Sequence, residues 1–129
     1  MGQTQLFLVV LGMMLIGIAI YVGVSMFSAN TVEASRNAII VDLQNFALRA
    51  DAYYWKPTTQ GGGGRSFAGI TMSHVYPMDE NPNAIYHIES AVGDQCVISG
   101  VGKVVTTNGD SVRVRVRVTA QRHIIEVLN

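Results

Sequence analysis

The chain has 129 residues, nine Lys and Arg balanced by nine Asp and Glu, and a hydrophobic share of 49%. Zero net charge excludes a chain-wide attraction to nucleic acid or to anionic membrane surfaces, so any such attraction has to be local. One cysteine, Cys96, excludes an intramolecular disulfide, and the fold has to hold by packing alone.

From Leu6 to Phe27 twenty-two residues pass without a charge, sixteen of them large aliphatic, Met or Phe, and the first charged side chain is Glu33. A helix of that length rises about 33 Å, enough to cross a hydrocarbon core of roughly 30 Å. Left in water, those side chains would cost on the order of 30 kcal/mol. A secretory signal would place Lys or Arg before the run and keep its apolar core to about 7 to 15 residues. The expectation is therefore a segment retained in the mature chain and surrounded by membrane or protein. No basic residue precedes it to set against Arg36 and Arg49, so the positive-inside rule gives no orientation.

Between Ser25 and Lys56 there is no Gly or Pro, and Pro57 opens the stop signal Pro-Thr-Thr-Gln-Gly-Gly-Gly-Gly. Within that stretch Ile39, Leu43, Phe46, Ala50 and Tyr53 recur at spacings of four and three, while Glu33, Arg36, Asp42, Arg49 and Asp51 take other positions. The pattern predicts one helix from about Thr4 to about Trp55, apolar all round at first and amphipathic later. Gly12, Gly17 and Gly23 punctuate the apolar half, where small residues permit close helix packing or local unwinding.

Residues 56–83 read as a loop. Gly61 to Gly64 lacks the preceding strand and the Gly-Lys-Ser/Thr ending of a phosphate loop, and is expected to be a flexible linker. One short strand is expected around Phe67 to Val75. Asp79, Asn81 and Asn83 imitate the opening of a calcium loop, but Ala84 stands where its glycine belongs; polar turn residues beside Pro82 account for the same letters. The period then becomes two. Strands are predicted over Ala84 to Val92, Gln95 to Thr106, Ser111 to Thr119 and Arg122 to Leu128, joined by turns at Gly93-Asp94, Asn108-Gly109 and near Ala120-Gln121. Short turns make an antiparallel meander over 84–128. In the third strand Val112, Val114, Val116 and Val118 face one way and Arg113, Arg115 and Arg117 the other. If the valines pair with Ile125 and Val127, Glu126 falls among the arginines. The valine face wants an apolar cover, and Ile39, Leu43, Phe46 and Ala50 offer one. The fold class is α+β: a long N-terminal helix packed on a small four-stranded antiparallel sheet, with a protruding segment 1–30 and a head 31–129 whose helix is 31–55.

The chemistry-bearing residues do not converge in sequence. His74, His87, Cys96 and His123 lie apart, with no Cys-x-x-Cys or His-x-x-x-His pair, so no metal or other cofactor is expected. No Gly-x-Ser-x-Gly elbow and no nucleophile with an evident base appears, so no enzyme and no small-molecule substrate is expected. Arg113, Arg115 and Arg117 are the only concentrated charge. They read as a solvated face partly paired with Glu89 or Glu126, with a subunit contact or a surface for nucleic acid or other acidic polymers as the functional alternative.

A charge-free helix starting almost at the first residue, an amphipathic continuation, an irregular loop and a four-stranded antiparallel head resemble the type IV pilins and related pseudopilins, most closely over Gln3 to Asn45. The resemblance implies a leader that is removed, a methylated N-terminus, a membrane-anchored stage served by inner-membrane assembly machinery, and an extracellular cell-surface filament of identical copies. In it, Gln5, Leu6, Phe7, Leu11, Met14, Leu15, Ile18, Val22 and Phe27 would pack between subunits. Two departures stand out: Gln5 occupies the place of the usual glutamate and has no charge to cancel a neighbour's terminal amine, and Cys96 has no disulfide partner. Archaeal pilins often start near Gly-Gln, as Gly2-Gln3 does, but their sandwich heads need more strands than four. The alternatives are a pseudopilin that forms short assemblies in a secretion or DNA-uptake machine, and a single-pass membrane protein with a small binding head.

Overall fold

The computed structural model describes residues 2–106 and 108–128. Helix α1 runs without a break over Gly2–Trp55, about 81 Å at 1.5 Å per residue. Gly12, Gly17 and Gly23 stay helical, each with open space where a side chain would be. Their cost, about 1 kcal/mol apiece, is spread along a segment with no competing turn former.

Pro57, which cannot donate a backbone bond, stops α1, and the glycine run closes its end. Gly63, Gly64 and Arg65 donate their backbone N–H groups to the carbonyls of Tyr53, Lys56 and Tyr54 at 2.9, 2.9 and 2.6 Å. These are carbonyls of the last helical turn and the residue after it, which have no acceptor role left inside the helix. A Cβ at Gly63 would collide with the Ser66 carbonyl oxygen, so only glycine lets the chain pass this close. The expected flexible linker is therefore a packed C-cap. Arg65 completes it in the left-handed region at φ 64°, with its guanidinium 5.7 Å from the centre of the Trp55 ring.

The strand expected between Phe67 and Val75 is absent. That stretch makes turns and a one-turn helix, α2 (Met72–Val75), because Thr71 and His74 form a reciprocal cap at its start. Phe67, Ile70 and Val75 point into the core instead of alternating along a strand.

Four strands follow: β1 (Ala84–Val92), β2 (Gln95–Val105), β3 (Ser111–Thr119) and β4 (His123–Val127). They form one antiparallel meander in sequence order, and the predicted bounds differ from these by at most one residue at an end. Val114 lies opposite Val127, Val116 opposite Ile125 and Arg115 opposite Glu126, the register that the alternation demands. One face of this sheet packs on the second half of α1. Ile39, Leu43, Ala50, Val112, Val114, Val116 and Val118 are all fully buried and Phe46 nearly so. Gly100 makes that approach possible: a Cβ there would stand 2.8 Å from the Tyr86 ring and 3.1 Å from Ile39. Cys96 lies fully inside this core, where burial pushes its thiol up to about 11.

The calcium-like letters do a different job. Asp42, on α1, accepts hydrogen bonds on Oδ2 from the Tyr86 hydroxyl at 2.5 Å, Asn81 Nδ2 at 2.9 Å and Asn83 Nδ2 at 3.2 Å. The Asn81 side-chain Oδ1 accepts the backbone N–H groups of Asn83 and Ala84. Both amides thus present donors, and the loop before β1 is tied to the helix through one carboxylate. Burial, followed by the adjoining Asp42 carboxylate, holds the Tyr86 phenol far above its ordinary range.

Candidate assembly surface

Two surfaces remain after the core is closed. The first is the apolar half of α1. Leu6, Phe7, Leu11, Met14, Leu15, Ile18, Val22 and Phe27 are all exposed on the single chain, as is Gln5. Among the described residues, α1 is the one helix long and apolar enough to cross a membrane, and none of its most apolar window is buried within the chain. None of the described residues of the head folds back to cover it.

The same surface continues beyond residue 30. Val41, Leu48 and Trp55 are 54, 61 and 55% exposed, although they belong to the half of α1 that packs on the sheet. Together with Leu6, Met13, Ile20, Phe27 and Ala34 they form a repeat of seven, every member exposed. At about 100° per residue, Val41 and Leu48 lie some 140 to 160° around the helix from Leu43, on the side away from the sheet. Sequence reasoning centred on the sheet-facing stripe missed this second one. Its signal was the seven-residue spacing, hidden in the first half by a background that is apolar all round.

The second surface is the outer face of the sheet. Arg115 is the centre of a charge cluster: its guanidinium is 2.7 Å from Glu126 and 3.6 Å from Glu89. The hydrogen bond to Glu126 raises its already high pKa further. Arg117 reaches Glu126 at 3.6 Å. Among the described residues no acid lies within ion-pair distance of Arg113. One strand over, the Ser99 side chain is 4% exposed, with its hydroxyl 2.9 Å from Nε2 of His87. Strand alternation put both on the outer face, but only the β1–β2 register, His87 opposite Ser99, brings them together. His74 instead caps α2, and His123 lies at the far end of β4, opposite Val118. The described residues hold no cluster of three His, Cys, Asp or Glu side chains around a common centre.

No family model, no curated protein and no solved structure matches the chain.

Proposed function

We propose that this protein is the structural subunit of a helical filament of identical copies, resembling a type IV pilus, with α1 seated in the membrane before assembly and in the filament core afterwards. The observation that carries the reading is the exposed seven-residue repeat from Leu6 to Trp55. A membrane anchor needs apolar surface only over about 20 residues. Here the stripe runs from Leu6 to Trp55, about two and a half times that length, and its second part lies along the back of a helix whose front is already buried in its own sheet. Another helix lying alongside covers both parts at once. On a straight α-helix a repeat of seven drifts by about 20° per repeat, which favours neighbours that wind around each other left-handedly.

The test is a pair of substitutions. Leu15→Asp places an unpaired charge in the filament core, and Leu48→Asp places one on the stripe at head level. Both variants are expected to give no filaments by electron microscopy of producing cells, while the thermal unfolding of the head in detergent stays within about 0.5 kcal/mol of the parent. Normal filaments from Leu15→Asp refute the reading. A parent protein found only as single copies in the membrane fraction, with no filaments on cells, refutes it in favour of a single-pass protein with a small head.

A further inference from the structure

We propose that the outer face of the sheet holds a site for a monoanionic sugar acid, a hexuronate, centred on Arg113. The inference needs only the head and stands apart from the filament reading. The three arginines of β3 differ in their partners. Arg115 pairs with Glu89 and Glu126, and Arg117 with Glu126, so the surplus positive charge on this face is concentrated at Arg113. Beside it lies a half-open cavity of about 280 Å³ whose walls include His87, Glu89, Ser99, Val101 and Leu128.

Each wall has a use. The Arg113 guanidinium offers the planar fork that a carboxylate accepts in two parallel hydrogen bonds. Val101, directly across β2 from Arg113, and Leu128, whose N–H donates to the Arg113 carbonyl at 2.9 Å, supply apolar surface for the C–H face of a pyranose ring. The nearly buried Ser99 hydroxyl holds the exposed His87 ring bonded to it, and that ring is set to meet sugar hydroxyls. Glu89 accepts from hydroxyls and repels a second negative charge, which favours a carboxylate over a phosphate dianion. The volume sits at the lower end for small-molecule pockets, about 300 Å³, so it suits one ring. With two of three arginines neutralised by acids, the face is poorly matched to a track of phosphodiesters.

The experiment follows backbone amide NMR shifts of the full chain in detergent micelles during titration with glucuronate, glucose and inorganic phosphate. Saturable shifts at Ser99, Val101 and Arg113 are expected with glucuronate, and binding at least about tenfold weaker with glucose and phosphate. Arg113→Gln should weaken glucuronate by about tenfold or more, the loss of one charge-assisted pair, while Arg117→Gln leaves it unchanged. No saturable shift with glucuronate overturns the proposal, as does phosphate or glucose binding equally well. An equal loss in Arg113→Gln and Arg117→Gln also overturns it, since diffuse charge would then account for the effect.

Discussion

The two halves of α1 differ in composition, one charge-free and one amphipathic, and in circumstance. In residues 31–55 the apolar side chains divide into a sheet-facing set that is buried and an outward stripe that is not. In residues 2–30 every side chain is exposed, and only the backbone of Gly12 is half-buried. The head therefore completes its core inside one chain, whereas the apolar half depends wholly on its surroundings. Stability of the head and burial of the apolar half should respond to different substitutions, because the two apolar sets share no contacts and distant sites behave additively.

The sharpest way to break that comparison is to truncate one leucine in each half. Leu43→Ala removes a fully buried side chain between α1 and the sheet, and should lower the unfolding free energy of the head by about 2–5 kcal/mol. Leu15→Ala should leave it unchanged, and a shared loss, read by denaturant unfolding in detergent, would show that the halves are coupled. Next in size is Gly100→Ala. Its added methyl meets the Tyr86 ring and Ile39 and should cost about 1–3 kcal/mol, visible as a lower melting temperature and a changed tyrosine environment in near-ultraviolet circular dichroism.

The smallest expected effect is a pH dependence confined to the head. The Cys96 thiol moves from its ordinary 9.0 to about 11 on folding, so the unfolded chain loses this proton first. Stability is then fully present below pH 9 and falls as pH rises towards 11, by about 1 kcal/mol at pH 10. Tyr86, shifted upward from 10.0, continues the fall above pH 10. In a melting series from pH 7 to 11, Cys96→Ala should flatten the section between pH 9 and 11; an unchanged slope would remove the thiol from the account.

Much of this was legible because the driving patterns are strong and local. A charge-free run twenty-two residues long, strict alternation in β3 and short polar turns leave few ways to misassign α1 or the sheet, and the pairing of Arg115 with Glu126 follows from alternation plus register. What failed depended on contacts distant in sequence. The glycine run reads as a linker until the carbonyls of Tyr53, Tyr54 and Lys56 are there to receive its N–H groups. Asn81 and Asn83 read only as polar turn residues until Asp42, some forty residues earlier, draws both amides. The Ser99–His87 contact required the β1–β2 register, including the irregularity between Ile88 and Ser90 that interrupts it.

The unbroken passage of α1 from its apolar half into the head has a mechanical consequence. A pull along the shaft enters the head parallel to the plane in which Ile39, Leu43, Phe46, Ala47 and Ala50 interlock with the sheet. These side chains would have to slide past the valines of β3 together, because the helix that links them has no hinge. Load is shared across a close-packed interface instead of falling on one contact at a time, and the capped turn after Trp55 lies at the far end of that interface, away from the point of pull.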